Sequence, residues 1–136
     1  MIDEIGDAIV ARLDGLGLFR LVEKTISAKA LQVPPAVVVF LAYDRKVVDK
    51  PTVTRELGWD LLLLVPALGV GRGQKKMSSY IDNVRDAFVD WLPWDSGGVL
   101  PADVPEIRLE GIENTLLVYT IRVTMRVMPQ IIKKQS

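Results

Sequence analysis

The sequence predicts one α+β domain: a mainly antiparallel sheet with two amphipathic helices on one face and a long protruding β-hairpin. Three patterns point to it. Apolar residues recur at helical spacing near the N-terminus and again after residue 76. Two apolar, β-branched runs flank the turn "DKPT", and the chain closes on a strictly alternating segment. With 136 residues, one domain can bury roughly two-thirds of the surface its unfolded chain exposes, enough for one core.

In order, Ile2, Ile5, Ile9, Leu13 and Leu16 form one stripe on a first helix. Asp3, Glu4 and Asp7 complement the dipole of its opening turns, and "DGLG" at 14–17 stops it. "LFRLVEKTI", 18–26, reads as a strand, and "SAKALQV" as a short connection before Pro34 and Pro35. "AVVVFLAYDRKVV", 36–48, is apolar on both faces at its start and reads as a central strand. Residues 53–65 return from the turn with Val53, Leu57, Trp59, Leu61, Leu63 and Val65 on one face. The hairpin base belongs to the core. Its tip carries Asp44, Arg45, Lys46, Asp49, Lys50, Arg55 and Glu56, too many charges for burial, and is expected to project and to meet a neighbouring subunit.

The glycine stretch "GVGRGQKKMS", 69–78, follows an apolar strand and precedes a helical pattern, where a phosphate-binding loop would sit. Its spacing argues against one. A P-loop needs four residues between its glycines and then Gly-Lys-Ser or Gly-Lys-Thr, so that amides wrap phosphate while lysine and hydroxyl reach the terminal phosphate and magnesium. Gly69, Gly71 and Gly73 have other intervals, and they do not form the dinucleotide fingerprint either. The stretch reads as a flexible connector whose Arg72, Lys75 and Lys76 meet a partner or stay solvated. The second helix then runs from Met77 through Tyr80, Ile81, Val84, Ala87, Phe88 and Trp91 to Leu92, with Pro93 as its stop. "PWDSGGVLPADVP", 93–105, is a connection long enough to be functional or mobile. "EIRLEGIEN" and "TLLVYTIRVTMRVM" form the closing hairpin. In its last strand Tyr119, Ile121, Val123, Met125 and Val127 pack, while Thr120, Arg122, Thr124 and Arg126 face water or a partner.

Composition excludes several functions. Lys plus Arg and Asp plus Glu both number 17, so no overall field draws the chain to nucleic acid or anionic lipid. The chain has neither cysteine nor histidine, which removes disulfides, thiolate sites, the usual general base and the commonest metal ligand. No acidic cluster suggests carboxylate catalysis or an oxygen-ligated cation. Asp82, Asp86 and Asp90 share a helical face, but Arg85 lies beside them and the face reads as a solvated flank. The acidic start "MIDEIGDAIV" is unlike a secretory signal and the apolar runs are too short to span a bilayer, so an intracellular, soluble chain is expected. Trp59 and Trp91 lie on core stripes, leaving Trp94 as a candidate exposed anchor. Arg122 and Arg126 share one side of the last strand, about 13 Å apart at the usual rise, and suit docking to carboxylates. Their replacement by glutamate is expected to cost the isolated fold little. This profile favours an interaction protein over an enzyme, with no catalytic residue, cofactor or metal.

The opening "MIDEIGDAIVARL" is similar to the start of the Mu-like phage tail proteins assigned as tail terminators, where a helix of the form Ile-x-x-Ile-x-x-Ala-Ile-x-x-Arg-Leu is usual. "PPAVVVFL", "TRELGWDLLLLV", "YIDNVRDAF" and "LLVYTIRVTM" follow in the order of that family's strand, strand, helix and hairpin. The short first loop and the glycine-rich connector depart from it. The resemblance implies a virion protein of a contractile-tailed phage or a phage-tail-like particle, assembled in the host cytoplasm and placed at the junction of tail and neck. Its partners would be further copies of itself in a hexameric ring, the tail tube protein, and sheath and head-completion proteins, with no membrane and no sequence-specific nucleic acid. Arg45, Lys46, Lys50, Arg55, Arg72, Lys75, Lys76, Trp94, Arg122 and Arg126 are the candidate contact residues. Another head-tail connector or tail-completion subunit is the alternative in the same setting, and a small nucleotide-binding regulatory protein is the alternative class.

Overall fold

The computed structural model describes residues 2–24, 32–49, 52–66, 70–94, 98–113 and 116–128. Helix α1 spans Ile2–Gly15, strand β1 Leu21–Glu23, β2 Ala36–Asp49, β3 Thr52–Pro66, helix α2 Val70–Phe88, β4 Asp103–Glu113 and β5 Leu116–Val127. The strands form one sheet in the order β1-β2-β3-β5-β4, parallel only between β1 and β2. This is the predicted α+β architecture.

Alternation explains the layering. The odd-numbered residues of β3 (Leu57, Trp59, Leu61, Leu63, Val65) and of β5 (Ile121, Val123, Met125, Val127) point to one side of the sheet and are buried there. Ile5, Ile9 and Leu13 of α1 and Met77, Val84 and Phe88 of α2 join them in a single apolar cluster. The first-helix stripe is as predicted, and α1 ends on Gly17, whose φ of 67° closes the last turn in the left-handed region. Arg12 of α1 donates Nε to the carbonyl of Ala87 at 3.1 Å, which joins the helices and satisfies a carbonyl in the last turn of α2. On the other side of the sheet, Ala36, Val38 and Leu64 form a second, smaller buried cluster with Leu21, Phe40, Leu62 and Val118 packed against it. The base of the hairpin is thus apolar on both faces, as the run in β2 predicts.

Several boundaries differ from expectation. The strand expected over 18–26 is described only at Leu21–Glu23; residues 25 and 26 lie outside the described residues. Phe19 precedes the strand, and its ring is stacked on Tyr80 of α2, with centroids 5.5 Å apart. The expected connector at 69–78 is helical from Val70, so continuity with the packed turns beyond Met77 overrides the low helix propensity of Gly71 and Gly73. At its other end α2 stops at Phe88 rather than at Pro93. Asp90 takes a left-handed φ of 59° and gives its N–H to the Ala102 carbonyl, while Ala102 N–H bonds the Trp91 carbonyl. These bonds replace the next helical turn, and Leu92 is consequently exposed rather than on the buried stripe. They also pin the long connection: Val99 bridges to Val127, and its last three residues, 103–105, already belong to β4.

Phe88, fully buried where α2 ends, should cost about 3–5 kcal/mol when replaced by alanine, the usual range for a large core aromatic. Val48→Ala, on an exposed residue, should change stability by no more than about 0.5 kcal/mol. Urea denaturation of both variants checks the contrast.

Candidate interaction surface

Charged side chains gather where the β2–β3 hairpin and β5 leave the base of the sheet, on the face away from the helices. A register irregularity between Leu41 and Tyr43 re-aims β2, so that Tyr43 stands opposite Gly58 and Arg45 opposite Glu56. Gly58 is required there by contact rather than by dihedral angle. The Tyr43 ring lies across it, and a β-carbon on residue 58 would sit 2.2 Å from a ring carbon. The Tyr43 hydroxyl donates to Glu56 at 2.9 Å, and Arg45 reaches the same carboxylate at 2.6 Å. The guanidinium groups of Arg45 and Arg122 lie 5.1 and 5.2 Å from the ring centroid, within cation–π range. Burial first, and then the bond to Glu56, push the Tyr43 hydroxyl above its ordinary pKa.

Asp60 is the acidic centre of this face. Although only 8% exposed, it lies directly across from Arg122 in the β3–β5 ladder and accepts from that guanidinium through both oxygens. The hydrogen bond to Asp60 is the main reason the Arg122 pKa is raised further, burial acting against it. A bidentate arginine–carboxylate pair is strong and geometrically demanding. Arg122 is therefore committed within the sheet, and the pairing argues against the expectation that its replacement costs the fold little, since a nearly buried carboxylate would be left unpaired.

The hairpin charges are also paired internally. Arg55 binds Asp44 through two nitrogens, and Arg45 binds Glu56. Much of the charge at the tip is explained by these cross-strand bonds, which hold β2 to β3 where there is little core to do so. Lys46 makes no ion pair among the described residues and is exposed. Arg126 stands opposite Glu56 in the ladder, and its carbonyl accepts from Leu100 N–H. It borders an open cleft of about 270 Å³, lined also by Glu56, Leu100, Asp103 and Thr124.

The structure thus brings Arg45, Arg122 and Arg126 together on that face of the outer hairpin, whereas Arg55, which stands opposite Val127, lies on the helix side. Arg72, Lys75 and Lys76 fall on the first turns of α2, which follows the base of β3, so they are at the other end of the sheet. Their side chains, and Lys50 altogether, lie outside the described residues. Trp94 is half-buried against the main core rather than presented as an exposed anchor. Local spacing in the sequence does not mark Tyr43, Glu56, Gly58 and Asp60 as a unit. A signal was there: an aspartate inside "WDLLLLV" needs a partner wherever that strand is buried. What the arrangement offers chemically is charge-assisted recognition by guanidinium and carboxylate groups on a stiff sheet. No helix is long and apolar enough to cross a membrane among the described residues.

Arg122→Ala should destabilise the domain by about 3 kcal/mol, the low end of the range for breaking a buried pair, and Asp60→Asn together with it should recover part of that loss in a double-mutant cycle. Tyr43 gives a pH signature. Its folded pKa is raised above the ordinary value of 10.0, so its contribution is full below that pH and is lost as pH climbs through the folded pKa. Tyr43→Phe should remove this component of the alkaline loss of stability, measured by urea melts across that interval.

The sequence matches no protein-family model, and no curated protein matches it. Among solved structures, the chain is similar to one from the virion of a native gene transfer agent particle, with a TM-score of 0.50 and 18% identity, over 90% of this chain and 86% of that one. At that identity the likeness is one of fold, and it extends over nearly the whole length of both chains.

Proposed function

We propose that this chain is a structural component of a phage-like virion, and within it the tail terminator: a subunit of a ring that caps the tail tube, ends its polymerisation and forms part of the surface joined by the head. The observation that carries the proposal is the fold likeness to a gene transfer agent virion chain, which spans 90% of this sequence and 86% of that chain. The order of quoted motifs shared with the Mu-like terminators supports the finer assignment. The charged hairpin surface supports it too, because its guanidinium and carboxylate groups are suited to protein contacts. A ring follows from the role, since a head-to-tail contact between identical subunits must close if it is not to polymerise without limit. In this reading the chain has no catalytic activity, binds no cofactor, and meets copies of itself, the tube protein and head-completion proteins. A different connector of the same neck remains the second reading, favoured only by the departures in the first loop and the glycine-rich stretch.

Purified protein should form a closed ring, of six subunits in the terminator reading, alone or on tube ends. Light scattering and electron microscopy measure this, and a chain that stays monomeric at high concentration and ignores tail tubes would sink the proposal. Calorimetry with ATP, GTP and NAD at millimolar concentration should show no saturable heat; micromolar binding would instead favour the regulatory alternative.

A further inference from the structure

The sheet ends in two unlike edges. At one, β1 covers only Ala36–Val38 of β2, so among the described residues the outer rim of β2 from Val39 to Asp49 has no strand beside it. At the other, among the described residues, β4 is paired to β5 alone and its second edge has no strand beside it. Such rims carry unpaired backbone N–H and C=O groups and act as templates for another strand.

The side chains on these rims match. Val48 (57% exposed) and Leu109 (55%) are the most exposed large apolar residues among those described. One lies on each rim. Both face the helix side of the sheet, since Val48 stands opposite Val53 and Leu109 opposite Tyr119, which have the parity of the buried rows. On the other face Arg45 lies on the β2 rim with 65% of its side chain exposed. There β4 presents Glu106 and Glu110, which share a single guanidinium, that of Arg108, at 3.6 and 3.2 Å. Glu106 also stands opposite Arg122 in the β4–β5 ladder, so Glu110 is the carboxylate farther from that second guanidinium.

We infer that β4 of one copy adds to the outer half of β2 of the next, making a sheet continuous across subunits. This deepens the ring reading above and rests on it. Since β2 and β4 run in opposite directions within one sheet, a copy in the same orientation presents its β2 antiparallel to β4, the favoured ladder. The joint covers Val48 with Leu109 on one face and, in the same register, brings Arg45 diagonally beside Glu110 on the other. It is head-to-tail, using two different rims, and therefore repeats around a ring. Because β1 occupies the base of β2, the joint is offset toward the hairpin tip, and a sheet that closes on itself needs such a stagger. Pro105 and the irregularities at Asp103/Glu106 and Leu109/Gly111 confine it to a short stretch of β4 and discourage indiscriminate edge pairing.

The natural chain contains no cysteine, so introduced thiols report on this contact alone. Val48→Cys and Leu109→Cys proteins are prepared separately, mixed, and treated with a short bismaleimide crosslinker. The mixture should yield covalent dimers that neither variant gives by itself, and the double variant should yield covalent multimers up to the ring. If either substitution disperses the ring without altering the melt, the rim is equally implicated. A ring that is visible by light scattering yet gives no crosslink in the mixture would overturn the edge contact and leave the ring standing. Dimers from a single variant alone would overturn its head-to-tail polarity. Absence of any ring, on tube ends included, would remove the terminator reading and the edge contact with it.

Discussion

Asp60 is the constraint around which the sheet is arranged. A carboxylate placed in the middle of an apolar central strand loses most of its water, and the cost is offset only by a partner that is close, charged and well aligned. Arg122 is that partner, and because it lies directly opposite in the ladder, the pair works for one registration of β3 against β5. A shift of one residue would turn Asp60 into the helix-packed core and expose Trp59 and Leu61 on either side of it. The same few residues set β3 against β2. Tyr43 needs the bare backbone of Gly58 beneath its ring and Glu56 at its hydroxyl, and it reaches both because of the irregularity after Leu41. With β3 so held on both sides, the rows of alternate residues that receive α1 and α2 are defined.

Along the strands the sheet changes character. At the base, side chains are apolar on both faces and stability comes from burial. Toward the tip, one face passes to tyrosine, arginine and carboxylate groups, and cohesion there comes from paired charges and a ring within cation–π range of two guanidinium groups. A long hairpin can therefore leave the core without fraying, and it carries its charge largely neutralised. The overall balance of 17 basic and 17 acidic residues has a local counterpart in these pairs, so recognition by this surface must depend on placement rather than on net field.

The fold belongs to a shape also found in a gene transfer agent virion, and shape alone does not name a role. What gives the proposed role physical content is the make-up of the surfaces: a rigid sheet, two open edges, and charged groups already held in fixed positions. Ordered groups lose little entropy on docking. Those features are what the proposed role would call on, since repeated assembly needs geometry that repeats without error.

The sequence by itself determined the elements and most of the core. Helical spacing marked Ile5, Ile9 and Leu13, strand alternation marked Ile121, Val123 and Met125, and all six are buried as expected. These signals are local, because periodicity needs no knowledge of what lies across the core. The limits of α2 were not legible: its start crosses two glycines and its end is set by bonds between Asp90, Trp91 and Ala102, partners that only the folded chain brings together. The site shows the same division. The basic residues of the hairpin and last strand could be picked out individually, but whether each is spent inside the fold or left for a partner depends on the register between distant strands. Arg122 reads in sequence as one polar residue in an alternating strand. Only the tertiary structure sets Asp60, 62 residues away, against its guanidinium and turns a candidate contact into a fastening of the sheet, because charge pairing is decided by distance in space.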